Sequence, residues 1–142
     1  MLTLLVRKWK LRQAERIAKP LVLTLRDCLE NVRDEEGELS DDIRDDEFVL
    51  TYIYGMVAGR LERVGKENDG LVAALTLRQT FEYLFGEGQR RAELCAALAK
   101  CCDGDFKHAA KLGYSDVQRH AVGSEMPTAL IEHLRSYGVR RY

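Results

Sequence analysis

The stretch that decides the fold is FVLTYIYGMVAGRLERV, residues 48–64. Apolar side chains occupy nearly every side of a helix built from it, because Phe48, Ile53 and Tyr54 point in three different directions at roughly 100° per residue. A helix that is apolar all round is buried inside a protein. We therefore predict that this stretch forms the central helix of a bundle.

The composition of the whole chain agrees with a globular all-α fold. Its 142 residues include 46% hydrophobic and 32% charged side chains, a balance typical of a chain that buries a core. Only two prolines occur, Pro20 and Pro127, and no stretch shows the sustained apolar/polar alternation of a strand. We predict one domain over residues 1–142, a single bundle of about six helices.

Caps and helix breakers divide the chain into segments. Pro20 lacks a backbone donor, so we predict that the N-terminal helix is kinked or broken there and that residues 1–19 form a basic amphipathic helix standing partly apart. Ser40 is predicted to cap the central helix. The other helices are predicted over residues 21–33, 71–85, 90–102, 106–122 with a hinge at Gly113, and 124–137.

The N-terminal segment is the most informative candidate surface. Residues 1–25 carry six basic side chains against one acidic side chain, a net charge of +5. Three interpretations are open: a solvated basic face on a helix that packs through Leu5, Trp9, Ala14 and Ile17; a phosphate-contacting surface for nucleic acid; and an anionic membrane surface entered by Trp9. The candidate interaction residues are Leu5, Arg7, Lys8, Trp9, Lys10, Arg12 and Arg16.

The next segment reverses the charge. Residues 26–47 carry eleven acidic side chains against three basic ones, a net charge of −8. Part of this run is explained by the start of the central helix, where the helix dipole favours carboxylates. The two oppositely charged segments also predict a homo-oligomer, a homodimer for example, in which one segment meets the other across an interface.

Two glycine patterns permit more than one interpretation. Gly55 and Gly59 form a G-x-x-x-G pattern that lets another helix approach closely, either within the chain or in an oligomer. Residues 106–122 loosely follow the spacing of a DNA-binding helix-turn-helix with its turn at Gly113, but Arg119 stands where an apolar residue is needed. An ordinary helical hairpin explains the pattern equally well.

The cysteines and histidines, which could act as nucleophiles or metal ligands, do not form a recognisable site. Cys28, Cys95, Cys101 and Cys102 lack the spacing of a zinc site or a disulfide framework, even with His108 added. His120 and His133 have no nucleophile motif beside them, and no phosphate-binding or dinucleotide-binding loop occurs. We predict no enzymatic activity, no metal and no cofactor.

The sequence contains no recognisable signal peptide and no apolar stretch of transmembrane length, and its thiols suit a reducing compartment, so we expect a cytoplasmic protein. The leading hypothesis is a non-enzymatic helical protein-interaction or regulatory protein that binds another protein or itself. The alternatives are a nucleic-acid-binding regulator that uses the basic N-terminal helix, and a peripheral membrane-associated protein.

Overall fold

The computed structural model describes residues 2–101, 104–119 and 128–138, and within them it is an all-α bundle without strands. The helices of the described residues are α1 (Leu2–Glu30), α2 (Asp41–Arg44), α3 (Glu47–Arg63), α4 (Gly70–Phe85), α5 (Gly88–Lys100), α6 (Gly104–Arg119) and α7 (Thr128–Gly138). The prediction of an all-helical bundle is confirmed.

Helix α3 lies at the centre, as its all-round apolar character predicts. Ten of its 17 residues are buried. It packs on α6 along one side and touches α4 and α5 on the other, while α1 packs along α4. Lys10 and Arg26 of α1 contact Asp69 and Tyr83, at the two ends of α4, so α1 and α4 run parallel.

Glycines allow the close packing of α3 on α6. A methyl group built on Gly55 would lie 2.7 Å from the carbonyl carbon of Ala110 and closer still to its oxygen, and one built on Gly113 would lie 3.0 Å from the amide nitrogen of Met56. Gly59 faces Tyr114 in the same interface. The G-x-x-x-G face is therefore occupied within the chain and is not free for an oligomer contact.

The predicted hinge at Gly113 is wrong, because α6 continues through this residue to Arg119. The glycine is required by the close approach of α3 and not by a turn. Without a turn at residues 113–115, the helix-turn-helix interpretation also fails. Residues 120–127, which include His120 and the start of the predicted last helix, lie outside the described residues.

Of the two alternatives predicted at Pro20, a kink or a break, the break does not occur, since α1 runs from Leu2 to Glu30 with Pro20 inside it. Burial on both sides of the proline explains why one helix persists. Ala14, Ala18, Leu21 and Leu25 form a continuous buried stripe at helical spacing, and this packing outweighs the loss of one backbone hydrogen bond.

The acidic run around Ser40 supplies two caps instead of one. The side chain of Ser40 accepts a hydrogen bond from the Ile43 amide and begins the short α2, whereas the side chain of Asp46 accepts from the Val49 amide and begins α3. Asp69 caps α4 in the same way. The prediction that Ser40 caps the central helix is therefore wrong, because the short helix α2 lies between Ser40 and α3.

Helix α5 buries a different face from the one predicted. The helical spacing within residues 90–102 predicts burial of Leu94, Ala97, Leu98 and Cys101. Leu98 is half-buried and the other three are exposed, while Arg91 and Cys95 are buried. The guanidinium of Arg91 donates to the Arg44 carbonyl oxygen at 2.6 Å, to Asp45 Oδ1 at 2.8 Å and to the Gly86 carbonyl oxygen at 3.1 Å. This hydrogen-bonded anchor fixes the rotation of α5 against α2.

Candidate functional site

The first turns of α1 present a large exposed apolar surface. We call residues 2–12 the arm, and four of its side chains the arm face: Leu2 is 78% exposed, Leu5 64%, Val6 45% and Trp9 57%. They lie at helical positions i, i+3, i+4 and i+7, which form a single stripe. Four large apolar side chains on one stripe make a contiguous patch of the kind that marks an interaction surface.

The arm face points away from the core, which corrects the expectation that Leu5 and Trp9 pack internally. The buried stripe of α1 includes Ala14 and Ile17. Toward the N-terminus, the same side of the helix carries Arg7, Lys10 and Leu11, and the last two of these are half-buried. At about 100° per residue, the arm face is rotated by roughly 130° from that stripe. Packing of α1 on α4 therefore leaves the arm face uncovered.

Cations lie beside the arm face. Arg7, Lys8, Arg12 and Arg16 are exposed, and Lys8 and Arg12 flank the apolar stripe on one side. Lys10 differs from them because its ammonium forms an ion pair with Asp69 at 3.1 Å, where it fixes the base of the arm to the start of α4. The structure thus assigns Lys10 an internal contact and leaves the other four cations facing solvent.

A second apolar surface is a cleft between α3, α4 and α5 with a volume of about 460 Å³. Helices α3 and α5 each contribute a stripe at positions i, i+3, i+4 and i+7. Five of the lining residues are alanines, whose small side chains leave the space of the cleft open. The cleft is lined by Tyr54, Val57, Ala58, Leu61, Glu67, Ala73, Ala74, Leu77, Gln89, Ala92, Glu93 and Ala96.

The charged and amide side chains of this cleft lie at its rim. Glu67, Gln89 and Glu93 are exposed, and the Gln89 amide donates to Glu93 at 2.8 Å. The residues described as lining the cleft include two carboxylates and no cation. This surface was not predicted from the sequence, although Ala92 and Ala96 lie one helical turn apart and form a small-residue stripe beside Glu93.

A smaller cavity of about 280 Å³ lies between α3, α5 and α6. Glu47, Asp105 and His108 lie at its rim and are exposed. In the described part of the chain, no three or more His, Cys, Asp or Glu side chains are placed so that they could hold a metal ion. Burial raises the pKa of the Cys95 thiol to about 12, so this side chain is neither a nucleophile nor a ready metal ligand. Cys101 is a free, exposed thiol, and Cys102 lies outside the described residues.

Two tyrosine–carboxylate pairs join α3 to α6. The hydroxyl of Tyr52, which is fully buried, donates to Asp116, which is 9% exposed, and the hydroxyl of Tyr114 donates to Glu62 at the surface. Burial, and then the hydrogen bond to Asp116, raise the pKa of Tyr52 above its ordinary value, so this group stays a protonated donor. Neither cavity is lined by Tyr52 or Asp116, which indicates a role in packing.

The two pairs predict a clear difference in stability. We expect Tyr52→Phe to lower the free energy of unfolding by about 2 kcal/mol, because it deprives a buried carboxylate of its donor. The matched change Tyr114→Phe removes an exposed hydrogen bond between the same two helices and should cost less than about 0.5 kcal/mol. Urea unfolding of both variants checks this, and equal losses would contradict the internal position of the Tyr52 hydroxyl.

Comparison of the chain with protein families, with curated proteins and with solved structures gave no match. A bilayer-spanning helix is not found in residues 2–101, 104–119 and 128–138, since even the 29-residue α1 is interrupted by charged side chains. The arm face and the cleft are the two large apolar surfaces among the residues described above.

Proposed function

We propose that this protein is a non-enzymatic helical interaction protein that binds a protein partner through the arm face. The observation that carries the proposal is the exposure of Leu2, Leu5, Val6 and Trp9 on a helix whose other end is held in the core. Apolar side chains at i, i+3, i+4 and i+7 are the anchors with which a helix binds a protein groove. Tryptophan is also among the residues that contribute most to protein interfaces.

Two other functions use the same segment. Lys8, Arg12 and Arg16 follow one another along an exposed side of α1, an arrangement that suits the phosphates of nucleic acid. Trp9 and the leucines, flanked by cations, suit the surface of an anionic membrane. Phosphate binding leaves the exposed apolar stripe without a role, and this is why we favour a protein partner over nucleic acid.

Photocrosslinking in the cell of origin separates the three functions. A photoreactive phenylalanine analogue in place of Val6 should give, on illumination, protein adducts that resist nuclease and detergent. We expect the adduct yield to fall at least about tenfold in a Leu5→Glu/Trp9→Glu variant, which places two charges in the apolar contact. Both side chains are exposed, so the fold should be retained.

A change on the other side of the arm serves as the matched control. Leu4 is 64% exposed but lies outside the stripe, and Leu4→Glu should leave the adducts unchanged. Adducts with lipid alone or with nucleic acid alone would overturn the proposal in favour of the corresponding alternative. An equal loss in the Leu4→Glu variant would show that net charge, and not the arm face, determines binding.

A further inference from the structure

We propose that the arm face of one copy of this chain binds in the α3–α4–α5 cleft of a second copy. This inference rests on the proposed function and names the partner. The structure presents both surfaces: an apolar helical stripe that no described residue of the chain covers, and an apolar cleft of about 460 Å³ with an alanine floor. Each is the kind of surface that the other requires.

The two surfaces agree in length and shape. The arm face extends from Leu2 to Trp9, and the α3 side of the cleft extends from Tyr54 to Leu61, so that each spans eight residues or about 10 Å along a helix. Ala58, Ala74 and Ala96 are exposed in the cleft. Small side chains at such positions allow the large side chains of an incoming helix to enter between the helices that form the groove.

The charges of the two surfaces are opposite. Residues 2–12 contain no acidic side chain and four cations, of which Lys10 is paired with Asp69 and the other three face solvent. Glu67 and Glu93 lie on the rim of the cleft, where Lys8 and Arg12 of a docked arm would meet them. The strongly acidic segment at residues 34–47 is a poorer counterpart, because its apolar side chains, Leu39 and Ile43, are buried and unavailable to the arm face. Charge complementarity of this kind selects orientation and partner.

The arm does not reach the cleft of its own chain. Helix α1 is unbroken from Leu2 to Glu30, so the arm cannot fold back, and Lys10 holds its base at Asp69. Asp69 is only two residues from Glu67 on the cleft rim. The base of the arm and one end of the cleft are thus neighbours, and a two-fold axis near them would let two copies exchange arms reciprocally and close as a dimer.

Trp9 reports directly on this contact because it is the only tryptophan in the sequence. In the full-length chain we expect sedimentation velocity to show dimers that form with rising concentration, and the Trp9 emission to shift to the blue over the same range. The change Ala96→Arg places a cation in the cleft and should weaken association at least about 30-fold. Ala97→Arg, one residue along and outside the cleft, is exposed as well and should have no effect.

Mixing two defective chains tests the pairing of surfaces. The Leu5→Glu/Trp9→Glu chain keeps its cleft but has no tryptophan, and the Ala96→Arg chain keeps Trp9 but has a blocked cleft. Each should be a monomer alone. When they are mixed, a complex should form through one arm and one cleft, and the blue shift of Trp9 should return.

The inference would be overturned by a monomer at every concentration, by association that Ala96→Arg leaves unchanged, or by the absence of a complex on mixing. A small apolar molecule retained in the cleft in native mass spectrometry, with no dimer, would overturn it as well. If the arm crosslinks a different protein while the chain stays monomeric, this inference fails and the proposed function stands. If the arm crosslinks no protein, the proposed function fails first.

Discussion

Replacing Gly55 by alanine is expected to lower the free energy of unfolding by about 3 kcal/mol. The added methyl group would overlap the backbone of Ala110, and a backbone carbonyl cannot rotate away as a side chain can. Helices α3 and α6 would have to separate, which loosens the interface that includes Gly113 and Tyr52. The gain of about 1 kcal/mol in helix propensity on replacing glycine by alanine offsets only part of this loss.

Two further glycines calibrate the effect. A methyl group on Gly59 would lie 3.2 Å from the Tyr114 carbonyl oxygen, so Gly59→Ala should cost less than Gly55→Ala. Gly70 has nothing within 4 Å of the added group, and Gly70→Ala should change stability by less than about 0.5 kcal/mol. Guanidinium unfolding monitored by circular dichroism gives the three values. A stable Gly55→Ala variant would contradict the close approach of α3 and α6.

Replacing Arg91 by methionine is expected to cost about 3 kcal/mol of unfolding free energy. Its side chain is 3% exposed and donates to two backbone carbonyls and to Asp45, and its guanidinium lies 5.5 Å from the centre of the Phe85 ring. Methionine fills a similar volume but leaves the carbonyls of Arg44 and Gly86 without their donor. The loss should appear in the same unfolding experiment.

The neighbouring residue provides the control. Arg90 is 55% exposed and pairs with Glu87 and Asp45, so Arg90→Met should cost less than about 1 kcal/mol. The hydrogen bond from Arg91 lowers the pKa of Asp45 below its ordinary value. A lowered pKa stabilises the fold above about pH 4 and loses that contribution as the pH falls through the folded-state value. The difference between wild type and Arg91→Met should therefore shrink in acid; a constant difference would argue against the Arg91–Asp45 pair.

Composition and periodicity were sufficient to predict the fold class and the central position of α3. The all-round apolar character of residues 48–64 allows few other placements. The hinge predicted at Gly113 and the break predicted as one alternative at Pro20 do not occur, because a breaker was interpreted as the end of a helix. In both places tertiary packing decided: the buried stripe of α1 continues through the proline, and the glycine lies against the backbone of Tyr52.

The candidate site was only partly predictable. The sequence pointed to the basic N-terminal segment and to Trp9, but a single helix does not reveal which of its apolar faces meets the core. That choice depends on where the buried stripe of α1 begins, at Ala14. The cleft was missed because its alanines come from three helices, and the buried guanidinium of Arg91 was missed because charged side chains are rarely buried.

The continuity of α1 has a thermodynamic consequence for the arm. A free peptide of its length would be a marginal helix in water, because a short helix cannot repay the entropy of its own nucleation. In this chain the buried residues from Ala14 to Leu29 supply the nucleus, and folding of the bundle orders the arm in advance. The arm is therefore preorganised, and the binding free energy of a partner is not reduced by the conformational entropy lost when the arm forms a helix.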